Sequence, residues 1–123
     1  MTKTLLTFDD IKDLVDREHV DHPVPAWGGT VRLAVMSGED RDAWDLQMVS
    51  WDEQGNAKFK PAENMRADLV ARCWVDENYQ RVVTKKQVVL LGQKSGIVLD
   101  ELYDICKKLN KITDDEIDEL EKN

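Results

Sequence analysis

The stretch Pro61–Trp74 (PAENMRADLVARCW) limits what this chain can fold into. On a helical wheel, Met65, Ala67, Leu69, Val70, Ala71, Cys73 and Trp74 cover most of the circumference, while Asp68 and Arg72 mark the solvent side. A helix apolar over so wide an arc must be covered by neighbours on several sides. The pattern therefore predicts a central helix over 61–74, with Pro61 in the first turn, where its missing N–H is not needed. Arg66 breaks the arc. An arginine there must reach outward or meet a carboxylate, because an unpaired buried charge costs several kcal/mol. Glu39 and Asp42 are the expected partners, making Arg66 an internal organiser.

Before this stretch, Leu6-Thr7-Phe8-Asp9-Asp10-Ile11 reads as a helix start: Thr7 caps, the aspartates complement the positive helix end, and Leu6 staples onto Ile11. The period then changes. Val31, Leu33 and Val35 alternate with Thr30, Arg32 and Ala34, the pattern of a half-buried strand. Gly28-Gly29 reads as a two-residue turn, so Val20–Trp27 should pair back, giving a hairpin over about 20–36. Pro23 and Pro25 place their nitrogens on the same side, which makes this an edge strand with a blunted outer border. Trp27, at the tip, reads as a lid on the core or as an exposed contact residue.

Ser37 caps a further helix with Glu39 and Asp40 in its first turn. Trp44, Met48 and Trp51 follow at helical spacing, a stripe that packs the core or meets a partner. The polar run Asp52–Lys60 reads as a loop around Gly55-Asn56. Beyond the central helix, Asp76-Glu77-Asn78 is a turn and Tyr79–Val83 a short strand. Thr84–Gln87 is a capping box for a helix ended by Gly92, and Ser95 caps Gly96–Asn110. Thr113–Glu116 is another capping box, opening a last helix that only Ile117 and Leu120 anchor. The expected architecture is α+β but mainly α-helical: about five to six helices around the central helix 61–74, with one β-hairpin, in a single domain 1–123 whose segment 113–123 is weakly anchored.

Composition narrows the function. The formal net charge of −8 argues against nucleic acid or an anionic membrane as partner and favours basic or apolar protein surfaces. No apolar run reaches a membrane span, and residues 1–20 lack a signal-peptide pattern. Cys73 and Cys106 fall on apolar helical faces and read as reduced core residues, a disulfide being the alternative. Little points to catalysis. His19 and His22 form an H-x-x-H spacing among acidic residues, a weak metal signal at a helix-to-strand boundary. No phosphate-binding loop or nucleophile elbow is present. The paired acids Asp9/Asp10, Glu39/Asp40 and Asp114/Asp115 all lie at expected helix starts, where capping explains them. The residues thus describe an acidic binding domain that is not an enzyme and uses no cofactor.

Several stretches in order resemble the tail assembly chaperones of long-tailed (siphovirus-like) phages and prophages. They are Val24–Arg32 with its Pro-x-Trp-Gly-Gly tip, Ser37–Ala43, Asn64–Cys73 with Val75-Asp76-Glu77, Leu91–Ser95, Leu99-Asp100, Leu109-Asn110 and Glu119–Asn123. They span about residues 20–123; Thr84-Lys85-Lys86 is basic where the family has an acidic helix start. The resemblance implies a non-enzymatic protein that holds the tape-measure protein soluble and helps recruit the major tail tube protein. It also implies self-association, location in the host bacterial cytoplasm, absence from the mature virion, and a longer frameshifted form joined just after 114–123. On this reading Trp27, Trp44 and Trp51 are candidate contact residues for a partner or a second copy. The alternative is a small acidic phage-encoded inhibitor of a basic host protein, which would gather its carboxylates on one face.

Overall fold

The computed structural model describes residues 5–59 and 63–112. Elements run in the order α1 (Phe8–Ile11), β1 (His19–Val24), β2 (Gly29–Ala34), α2 (Gly38–Gln47), β3 (Val49–Trp51), β4 (Ala57–Phe59), α3 (Met65–Cys73), β5 (Trp74–Val75), α4 (Val88–Leu91) and α5 (Gly96–Leu109). β1, β2 and β5 form an antiparallel sheet with β2 in the middle, and β3 pairs with β4 in a separate two-stranded sheet.

The expectation of helices bundled around 61–74 is overturned. α3 and α5 pack against each other and both against β2, so the molecule is a sheet layered with helices. The alternation in β2 sets this arrangement. Val31 and Leu33 are buried toward the helices, while Arg32 turns to the other face and binds Asp21 through two hydrogen bonds of 2.7 and 3.0 Å. The wide apolar arc of α3 is satisfied by a sheet on one side and helices on another. Every residue from Ala67 to Cys73 is buried, including Asp68 and Arg72, which the wheel had placed toward solvent.

Burial of that pair depends on α2. Arg72 Nε donates to Asp68 at 2.9 Å, and another guanidinium nitrogen donates to Asp40 in the first turn of α2 at 3.1 Å. Arg81 stands 3.9 Å from Asp40. Arg66, the arginine expected to organise the interior, instead lies outside: it pairs with Asp100 of α5 at 2.7 Å, and both side chains are more than half exposed. It meets neither Glu39 nor Asp42. Four residues per α-helical turn-and-a-bit place Asp68 and Arg72 one above the other, and α2 closes over them.

The helix starts follow their caps. Ser37 accepts from Asp40 N–H at 3.2 Å and Ser95 from Val98 N–H at 3.4 Å, and Thr7 and Thr84 form capping boxes. The hairpin joins differently from a two-residue turn: Pro25–Trp27 makes a 3-10 turn, Gly28 takes φ 74°, and Gly29 already belongs to β2. Register runs from His19 opposite Ala34 to Val24 opposite Gly29, with Pro23 opposite Thr30. Among the described residues β1 has a partner strand on one side only. A proline cannot donate to a ladder, so the nitrogen of Pro23 belongs on the outer border.

At the far end, Asn110 ties three elements. Its side-chain oxygen accepts from Met36 N–H at 2.8 Å after β2, and its amide nitrogen donates to Cys106 O at 2.8 Å and to Cys73 Sγ at 3.3 Å. Gly92, expected to end a helix, does so with φ −62°, a conformation open to any residue. Its smallness serves a close approach: an added Cβ would lie 2.5 Å from Asn64 Oδ1. The expected N-terminal residue Pro61 and the last helix at 113–123 lie outside the described residues.

Candidate partner-binding site

The fold separates the three tryptophans proposed as contact residues. Trp44 is 2% exposed and packs in the core through α2. Trp51 is 69% exposed. It is not on the α2 stripe, because α2 stops at Gln47 and Val49–Trp51 turns into a strand. The segment expected as a loop is the matching hairpin. Asp52 Oδ1 accepts from Gln54 N–H at 3.0 Å and Asn56 N–H at 2.8 Å, Gly55 takes φ 84°, and Ala57–Phe59 returns along β3. Aspartate binding its own backbone two residues on, followed by a left-handed glycine, was the available turn signal.

Trp27 is half-buried and stacks on Trp74, with ring centroids 5.7 Å apart and planes inclined by 20°. Such a stack is worth about 0.5–1.5 kcal/mol beyond area burial. With Leu91 and Lys94 the two indoles line an open, largely apolar depression of about 360 Å³. A second depression of about 400 Å³ adjoins it through the shared Lys94, bounded by Asn64, Met65, Arg66 and Gly96. Trp74 was missed as a surface residue because it completed the apolar arc of 61–74. The chain leaves the helix there to pair as β5, and this turns the indole toward Trp27.

Neither depression gathers catalytic groups. The two histidines are split by their strand: three residues apart on β1, they face opposite sides. His19 Nδ1 lies 2.6 Å from the Tyr79 hydroxyl and His22 Nε2 lies 3.5 Å from Glu101. Among the described residues no group of three or more His, Cys, Asp or Glu could hold a metal ion. Cys73 and Cys106 are free thiols at full burial. The hydrogen bond with Cys73, together with burial, pushes the Cys106 thiol well above its ordinary range, so it stays protonated. No described helix is long and apolar enough to cross a membrane.

The solved structure of the bacteriophage HK97 tail assembly chaperone superimposes on this chain with a TM-score of 0.57 and 19% identity, covering 85% of this chain and 91% of that one. This chain shares the fold of that protein. No family model matches the sequence, and no curated protein matches it. Within this fold, the stretches of the sequence resemblance that fall among the described residues occupy structural positions. Val24–Arg32 forms the hairpin tip bearing Trp27, Ser37–Ala43 holds the cap and the Asp40 carboxylate, and Asn64–Cys73 is α3 with its cap. Leu91–Ser95 carries Gly92 against Asn64 and ends on the α5 cap, and Asn110 closes the far end.

Proposed function

We propose that this protein is a tail assembly chaperone of a long-tailed phage, working in the host cytoplasm and leaving before the virion is complete. Its task is to hold the tape-measure protein soluble, to help recruit tube subunits around it, and to self-associate while doing so. The observation that carries this reading is the shared fold over most of both chains, reached from a sequence whose ordered motifs resemble the same family. The surface fits a carrier. Long helices of a tape-measure protein aggregate when their apolar faces are uncovered, and a helix laid in an apolar depression is shielded. The depression at Trp27, Trp74 and Leu91 is the proposed seat, with Trp51 on the β3–β4 hairpin as an accessory contact. Negative charge keeps the carrier soluble and steers basic partners.

The inhibitor reading calls for one acidic face. Instead, Asp21 on β1, Asp40 and Asp45 on α2, Asp68 on α3 and Asp100 on α5 are each engaged by an arginine.

Co-expression with the long helical protein encoded beside it tests the proposal: the tape-measure protein should move from the pellet to the soluble fraction. Trp27→Ala and Trp51→Ala should weaken that effect while the far-UV spectrum stays native. Full solubilisation by both folded variants would show that these tryptophans are not the contact, and no solubilisation by the parent chain would sink the chaperone reading.

A further inference from the structure

Among the described residues, nothing covers a row of large apolar side chains in the segment before β1. Leu5, Leu6, Phe8, Leu14 and Val15 are all exposed, Phe8 at 74%, and α1 buries no residue at all. The same segment is acidic: Asp9, Asp10, Asp13, Asp16 and Glu18 stand against Lys12 and Arg17. A row of this size left open on a folded chain marks a contact surface.

A surface of opposite character lies between β1 and α5. Val20, Ile105 and Leu109 form the apolar wall of a groove of about 510 Å³, and Lys108 and Lys111 stand at its rim beside Glu18. Its apolar wall matches the row on α1, and its lysines match the aspartates. The chain does not fill this groove with its own α1. Arg17, the link between them, is fastened to the other face of the sheet: its Nε donates to Val35 O at 2.6 Å and its guanidinium sits 6.0 Å over the Tyr79 ring. Val35 N–H also donates to Glu18 O at 2.8 Å. Arg17 and His19 share that face, whereas Glu18 and Val20 face the groove. No residue from Leu5 to Arg17 lines this groove.

We infer that the α1 segment of one copy docks into the β1–α5 groove of a second copy, Phe8 and Leu14 against Val20, Ile105 and Leu109, with aspartates facing Lys108 and Lys111. This rests on the self-association in the function proposed above and gives it a surface. The contact joins unlike patches, so each copy keeps one free α1 and one free groove, and assembly continues head to tail into a ring or an open array.

Sedimentation velocity on the full chain over a range of concentrations tests this. Two variants are needed: Phe8→Asp with Leu14→Asp removes the inserted row, and Val20→Glu with Lys108→Glu spoils the groove. All four positions are at or near the surface, and circular dichroism checks that both variants remain folded. Each alone should associate at least about tenfold more weakly than the parent. Mixed in equal amounts, they should form a species of two chains and no larger one, because one intact α1 and one intact groove remain in the pair. Parent-like association by either variant, or no two-chain species in the mixture, overturns the contact while leaving self-association standing. A parent chain that stays monomeric at every concentration overturns both.

Discussion

Removing the Arg72 guanidinium should cost this fold more than any surface charge could. Arg72→Met keeps the length of the side chain and deletes only its charge and donors. The side chains of Arg72 and Asp68 are 9% and 12% exposed, and that of Asp40 is 23% exposed. Deleting one member of a buried ion pair costs about 3–5 kcal/mol, because the partner stays behind unpaired. Two features lower that figure here. Asp40 is partly open to water, and Arg81 remains 3.9 Å from it. Asp68 has no such second cation near it among the described ion pairs. The expected loss is about 2–4 kcal/mol. With a urea m-value of about 2 kcal/mol/M for a chain of this size, the midpoint should fall by about 1–2 M. The four tryptophans supply the fluorescence signal. Pairing the change with Asp68→Leu should recover part of the loss and give a coupling of about 1–3 kcal/mol in a double-mutant cycle. A loss below about 1 kcal/mol, the level of an exposed pair, would show that the interior assigned to Arg72 is wet and the reasoning wrong.

Two glycines, one ending α4 and one opening α5, should respond in opposite directions. Gly92→Ala pushes a methyl against Asn64 Oδ1 at 2.5 Å and Val89 O at 3.3 Å, and should lower stability by about 1–2 kcal/mol. Gly96→Ala meets nothing within 4 Å at the start of α5 and should raise it by about 0.4–1 kcal/mol; the same urea assay reads both, and equal signs would contradict the packing described. Asp21 should titrate below the usual carboxylate range, chiefly because Arg32 hydrogen-bonds the ionised form. A depressed native value means the contribution is complete above about pH 5, where an unfolded aspartate is ionised, and disappears as pH falls through the native value. Carboxyl NMR titration should show the Asp21 value rising in Arg32→Gln; an unchanged value would mean the pair does not form in solution.

How far the sequence could be read depended on whether a signal was local. Ser37 and Ser95 accept from backbone N–H groups three residues on, and the Gln87 side chain reaches back to accept from the Thr84 N–H, so their helix starts were plain. The hairpin was visible because alternation at Val31 and Leu33 is a property of one strand. Arg66 and Arg72 were exchanged because a helical wheel knows nothing of α2. The carboxylate of Asp40, 32 positions away in sequence, makes the Arg72 side the inside. The apolar arc of α3 said that several neighbours cover it without saying whether they are helices or strands, and that is where the bundle expectation failed. Trp51 went astray for a related reason: the 44–48–51 spacing suits a helix, but Val49 and the Asp52–Gly55 turn divert the chain into a hairpin. Of the candidate site, Trp27 was legible from its place at a hairpin tip; Trp74 and Leu91 joined it only through tertiary contact.

The proline on the outer strand bears on how companions are chosen. A sheet border with regularly spaced amide donors recruits any extended peptide, whatever its side chains, because main-chain pairing is indifferent to sequence. With Pro23 interrupting that row on β1, indiscriminate zippering is discouraged along this margin. Whatever adheres there must be recognised by the shape and charge of its side chains, which suits the carrier role proposed above.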